Sequence, residues 1–211
     1  MKSPRIVLIN APPRSGKNTL AEMMRTALDD VAVIGFSHHL KRSVHAIHFG
    51  EAGWAMDPDC FDAIKGEPQE ILGGRTWRQE YIRFSEVYIK PQLGEKWFGR
   101  QFMSSVHSCG RSIIGVPDSG FLEEAEEAVH QVGPENVLLV RLHKEGCTYA
   151  GDSRTYIDLS HLGVLQFDAR NEHHDLTMLV NMALLPIADW VTTGMLPFPS
   201  AGPLADIYAP M

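Results

Sequence analysis

The sequence predicts an α/β domain: a five-stranded parallel sheet with helices on both faces. Five short apolar runs rich in β-branched residues carry that expectation: Ile6 to Ile9, Val31 to Phe36, Ile113 to Val116, Val137 to Leu142 and Val164 to Phe167. Continuous runs of this kind suit strands buried on both faces. Helical patterns lie between them, and alternating strands and helices select a parallel sheet. The chain has 211 residues, 44% hydrophobic and 21% charged. That balance suits one folded domain spanning residues 1–211, and it excludes global disorder.

Each element can be justified in order. The first run leads directly into Ala11-Pro12-Pro13-Arg14-Ser15-Gly16-Lys17-Asn18-Thr19, and then into a helix with Leu20, Met23, Met24 and Ala27 on one face. The second run is followed by Ser37-His38-His39-Leu40-Lys41. From about Gly50 to Gly110 the rhythm breaks: a loop rich in Gly, Pro and Asp precedes helical patterns over Arg78 to Ile89 and Lys96 to Val106. This stretch reads as a helical insertion. The third run ends at Pro117-Asp118, and a helix over Phe121 to Val132 stops at Gly133-Pro134. A Gly-flanked polar segment over about 144–156, with few apolar anchors, reads as a mobile lid. Leu176 to Trp190 reads as a last helix that Pro186 bends or breaks. Four prolines after Gly194 predict an irregular tail over about 194–211.

Composition narrows the function classes. The net charge is −7, so the chain lacks the basic face that broad duplex binding requires. A small anionic substrate in a local basic pocket stays compatible. Cys60, Cys109 and Cys147 lie far apart with no CxxC pair, which excludes a disulfide framework and a Cys-rich zinc site. The apolar run after Met1-Lys2-Ser3-Pro4-Arg5 has four residues, too short for a signal core or a bilayer span. The expectation is a cytoplasmic protein without nucleic-acid or membrane partners. A homodimer is left open.

The strongest chemical signal is Ala11 to Thr19. A tight loop between a strand and a helix presents backbone N–H groups and a helix N-terminus to an anion, and a Lys reaches the β- and γ-phosphates. Pro13, Arg14, Ser15, Gly16, Lys17, Asn18 and Thr19 are therefore candidate nucleotide-binding residues. The strict pattern G-x-x-x-x-G-K-[ST] is broken by Ala11 and by Asn18, with Thr19 one position later. Asp118 ends a buried strand, where P-loop proteins place the acid that organises Mg²⁺ and its waters. Its alternative role is to cap the following helix. Cations flank the expected cleft: Lys41 and Arg42, Arg75 and Arg78, Arg141, Lys144 and Arg154. Phosphoryl transfer needs such convergence because charge spreads over the transferred oxygens. His38, His39, His45 and His48 cluster without zinc-site spacing and read as polar residues on a partly exposed helix. Trp77, between Arg75 and Arg78, is the aromatic best placed to meet a base.

Five segments in order then point to one family. They are Ala11 to Thr19; Phe36 to Lys41; Leu72 to Gln79; Pro117-Asp118-Ser119-Gly120-Phe121 with Glu124; and Arg141-Leu142-His143-Lys144-Glu145-Gly146 with Asp152-Ser153-Arg154. Over most of its length the sequence resembles the deoxynucleoside monophosphate kinases encoded by bacteriophages. The resemblance implies a nucleoside monophosphate kinase fold with a helical monophosphate-binding insertion and a small lid. It implies ATP and Mg²⁺, with the γ-phosphoryl passing to a deoxynucleoside 5′-monophosphate for DNA precursor supply. Lys17 and the loop amides would hold the ATP phosphates, with Lys144 beside them. Asp118 would order Mg²⁺ through water. Lys41, Arg75, Trp77 and Arg78 would serve the acceptor, and Arg141 and Arg154 would close from the lid on the transition state. The acceptor phosphate is already anionic, so no strong general base is needed. Lys144 stands where the family often has Arg, and Lys lacks the bidentate fork. Rival readings are a P-loop kinase with another acceptor, such as dephospho-coenzyme A or a modified base in DNA, and a nucleotide-binding module without chemistry.

Overall fold

Five parallel strands form one sheet in the order β2-β3-β1-β4-β5. They are β1 (Arg5–Asn10), β2 (Val31–Val33), β3 (Ile113–Ser119), β4 (Val137–His143) and β5 (Leu165–Arg170). The structure, a computed structural model, describes residues 3–171 and 176–197. Chain order reverses across β1, which pairs with β3 on one side and β4 on the other. In open α/β sheets, ligands bind beyond the carboxyl ends of the strands at such a reversal.

Alternation along β1 divides the core. Ile6 and Leu8 face one layer with Phe102, Met103 and Val106 of α6 (Trp97–Cys109) and Ala125, Ala128 and Val129 of α7 (Leu122–Val132). Val7 and Ile9 face the other, packed on Leu20, Ala21 and Met24 of α1 (Lys17–Ala27) and on the last helical stretch. That stretch runs as α8 (Leu176–Leu179), a π-turn (Val180–Leu184) and α9 (Leu185–Thr193). The expected break at Pro186 is a π-turn one turn upstream, closed by Leu185 N–H on Val180 O, and Pro186 sits in the first turn of α9 without ending the helix. Leu176–Thr193 is long and apolar enough to cross a membrane by length and composition, yet Leu179, Ala183, Ile187 and Trp190 pack against the sheet.

Two strand expectations change at the functional end of the sheet. The second strand stops at Val33 and not at Phe36, because the Asp118 carboxylate takes the Phe36 and Ser37 N–H groups. The third strand runs past Pro117 to Ser119, with a register break opposite β1 between Leu8 and Asn10 that accommodates the proline.

The 50–110 stretch adds a third, separate core. The helices α2 (His38–Phe49), α3 (Glu51–Ala55), α4 (Trp77–Arg83) and α5 (Lys90–Leu93) surround it, with a π-turn at Phe84–Ile89. Leu40, Val44, Leu72, Trp77, Tyr81 and Phe98 are its buried residues. Thr76 and Gln79 form a capping box at the start of α4. The expected tail lies almost wholly outside the described residues.

Candidate phosphate-transfer site

The loop after β1 is shaped by two left-handed residues, Arg14 at φ 68° and Gly16 at φ 93°. A Cβ on Gly16 would also stand 2.5 Å from Asn171 Nδ2, so both conformation and space demand glycine. Asn171 Nδ2 donates to Ser15 O at 2.8 Å, and its backbone N–H to His143 O, fixing the loop to the end of β4. Helix α1 has no side-chain cap. Among the described residues, the N–H groups of Gly16, Lys17, Asn18 and Thr19 have no backbone acceptor. Ser15 is fully buried and its Oγ lacks a partner. A cluster of unmatched donors around a positive helix end matches a phosphate group. Pro13 is half-buried in this loop, and Arg14, Asn18 and Thr19 are exposed at it.

Lys17 projects from the first residue of α1. Its ammonium meets only the Pro12 carbonyl, at 3.5 Å, and makes no ion pair among the described residues. Burial lowers its pKa to about 8, with Arg154 and then Lys65 repelling the charge further; Asp118 and Asp152 oppose them. Lys65 is a residue that sequence reasoning missed. It lies in the insertion, bonded to Asp62 at 3.1 Å, and its carbonyl accepts the Arg78 N–H at 2.9 Å. The exposed Arg78 is near enough to Asp152 to lower that carboxyl's pKa. Lys17 thus feels Lys65 from the insertion and Arg154 from the lid, and Arg78 acts on Asp152, the partner of Arg154.

Other expected cations are already engaged. Lys41 binds Asp59 and, at 2.9 Å, Asp62, and these carboxylates outweigh burial to raise its pKa. Arg75 Nε donates to the buried Glu80 at 2.9 Å, in a cluster with His48 and the exposed Arg83. Arg141 lies on β4, not in the lid, and makes a two-point bond to Asp168 at 3.1 and 2.8 Å. His143 also bonds Asp168, at 2.5 Å, beneath the Tyr156 ring. Lys144 follows β4, with its carbonyl accepting the Cys147 N–H. The expectation for Trp77 is corrected: it is 1% exposed and stacks on Phe61 at 4.2 Å, so no ring face is open to a base. His45 is likewise a core residue and not a surface one, bonded to Tyr81 at 2.7 Å. No group of three His, Cys, Asp or Glu side chains arranged for a metal ion exists among the described residues.

Asp118 grips the start of α2. Its oxygens accept from Phe36 N–H and Ser37 N–H at 2.9 Å and from Ser37 Oγ–H at 2.6 Å. Burial would raise its pKa, but His38, these bonds and Lys41 outweigh it and hold the carboxyl ionised. The helix it serves is α2, not the helix after its own strand. Direct Mg²⁺ coordination does not fit an acid so fully hydrogen-bonded.

The lid is also better anchored than its composition suggests. Asn10, buried at the end of β1, places Nδ2 within 3.0 Å of Ser119 O, Tyr149 Oη and Thr155 O, while its Oδ1 accepts Ile157 N–H. Arg154 is bonded to Asp152 at 2.9 and 2.6 Å, which pulls the Asp152 pKa down to about 2. Its aliphatic stem lies on Gly120, where an added Cβ would meet it at 2.7 Å. Neither a scan against protein-family models nor a search of curated proteins finds a match to this chain.

Proposed function

We propose that the chain is an ATP-dependent phosphotransferase whose acceptor is a deoxynucleoside 5′-monophosphate, as the resemblance to bacteriophage kinases suggests. The observation that carries this reading is Lys17: a desolvated ammonium without an ion pair, beside unmatched loop donors and repelled by Arg154 and Lys65. Such a constellation is costly in the free protein and becomes favourable when a polyphosphate enters.

In this reading the loop amides, Ser15 and Lys17 hold the β- and γ-phosphates. Lys65 and Arg78 present the acceptor phosphate from the insertion. Arg154 comes from the lid side and faces the charge that develops on the transferred group. Mg²⁺ enters on the nucleotide phosphates, as suits an ion that retains several waters. Asp118 sets the position of α2, and through it the insertion, without touching the metal.

The test is ADP release with each of the four deoxynucleoside monophosphates, with dephospho-coenzyme A as a control acceptor. Turnover with a monophosphate and none with the control is expected. ATP binding without turnover on any acceptor would overturn the kinase reading in favour of a nucleotide-binding module.

A further inference from the structure

A cavity of about 130 Å³ opens between the sheet end and the insertion. The rings of Phe36, Phe98 and Phe121 line it, with Ser37, Ser85, Asp118 and Glu124 as polar wall and Arg154 beside them. An engineered apolar cavity of about 150 Å³ takes benzene, so this space suits one planar ring system. Arg154 also interacts with Lys17, which joins the cavity to the phosphate cleft.

Glu124 is the unexpected member of that wall. It is 6% exposed in the first turn of α7. Among the described residues no hydrogen bond or ion pair reaches its carboxyl. The nearby cations are engaged: Lys90 by Glu86 and Glu95, and Arg154 by Asp152. A buried carboxyl with no partner is costly for folding alone.

We propose that Glu124 lies against the base of the acceptor nucleotide and reads its pairing edge from the wall of the Phe36, Phe98 and Phe121 pocket. The inference rests on the acceptor reading above. The charged groups around Glu124 are Asp118 on β3, Glu123 on its own helix, Lys90 from the insertion and Arg154 from the lid. Burial, then repulsion by Asp118, raises its pKa well above the usual carboxylate value, against Lys90 and Arg154. The protonated acid offers one O–H donor beside one carbonyl acceptor. Each of the four bases presents an adjacent acceptor and donor on its pairing edge, so the neutral acid can pair with any of them. An ionised carboxylate only accepts, and it matches guanine alone, whose N1–H and N2–H₂ are neighbouring donors. The contact is therefore permissive while Glu124 is neutral and favours guanine once it ionises.

The experiment measures kcat/KM for dAMP, dCMP, dGMP and dTMP from about pH 6 to about pH 8.5, below the titration of the bases. In the wild type, preference for dGMP over dTMP rises with pH. In Glu124→Gln, which cannot ionise, the preference is flat. Glu124→Leu raises the acceptor KM at least about tenfold for every base and leaves the ATP KM unmoved. A parallel thermal series reads the proton directly. A raised carboxyl pKa contributes stability below the unfolded value that is lost as pH rises, so Glu124→Gln gains melting temperature over wild type at about pH 8 and little at about pH 4. An unchanged acceptor KM in Glu124→Leu, or the wild-type pH dependence persisting in Glu124→Gln, overturns the proposal. If the wild type phosphorylates no monophosphate, the kinase reading fails separately. Calorimetric titration with the four monophosphates then decides for the pocket: binding that Glu124→Leu abolishes upholds it, and no binding, or equal binding, overturns it.

Discussion

Lys17 and Lys41 sit in the first turns of two helices that leave the same end of the sheet, yet their surroundings are opposite. The phosphate loop surrounds Lys17 with desolvation and like charge, which lowers its pKa to about 8. The insertion surrounds Lys41 with Asp59 and Asp62, which raise it. The same split separates Lys65, Arg78 and Arg154 from Arg75 and Arg141. Arg75 and Arg141 serve carboxylates of the fold, Glu80 and Asp168. Among the cleft cations it is Lys17 whose charge the fold leaves without a carboxylate, which supports the reading that an anion belongs beside it. Lys65 and Arg154 are mixed cases: bonded to Asp62 and Asp152, but close enough to Lys17 to repel it.

The sharpest way to break this contrast is Lys17→Met. Loss of one preorganised electrostatic contact predicts a fall of about 10²–10³ in kcat. The fold should gain, because a Lys pKa lowered from 10.5 to about 8 is a stability penalty present below about pH 8 and lost as pH rises toward 10.5. Melting curves at pH 7 and pH 10 check the sign: the variant is more stable at pH 7, and the advantage fades at pH 10. A destabilised variant at pH 7 would make Lys17 a structural residue. Without mutation, ATP affinity should weaken as pH rises through about 8, where the free loop loses the Lys17 proton.

Arg154→Ala should lower kcat by about 10², within the range for one transition-state donor, with a smaller change in melting temperature. Single-turnover kinetics separates this from weaker substrate binding. Arg78→Lys is milder: the ammonium cannot grip a phosphate through two parallel bonds, so the acceptor KM should rise and the ATP KM stay. Movement of the ATP constant alone would place Arg78 on the wrong side. The smallest kinetic effect belongs to Lys41→Met. It should cost about 1–2 kcal/mol of stability, below the 3–5 kcal/mol of a fully buried pair because Asp59 is 43% exposed. Its kcat should stay near wild type. Lost turnover at unchanged stability would return Lys41 to the acceptor site.

The sheet and the loop were legible because their signals are local. Ile6 to Ile9 is a buried strand by composition, and Gly16-Lys17 follows it within reach of the chain's own turn. Which cation faces the cleft was not legible where it depends on partners 18 and 27 residues away: Asp59 for Lys41, Asp168 for Arg141. Trp77 misled for the same reason. Its flanking arginines suggested a wet site, while Phe61 and His45, distant in sequence, enclose it. Asn10 and Asn171 carried no signal beyond their place at strand ends, where a polar residue after an apolar run reads as an ordinary stop. Glu124 stood in a matching segment, but its burial depends on α6 and the insertion packing over α7.

Asn10 also bears on timing. By holding Tyr149 as well as Thr155 and Ile157, it ties the middle and the C-terminal end of the lid to the most central strand. Gly146 and Gly151, both with positive φ and open space around them, are the natural pivots that remain. Movement is then confined to short segments about these two glycines, and loops of this kind move in nanoseconds to microseconds. A flap so short opens far faster than a typical turnover. Any slow step set by motion would fall to the insertion, which follows the α2 helix that the Asp118 carboxylate holds through Phe36 and Ser37.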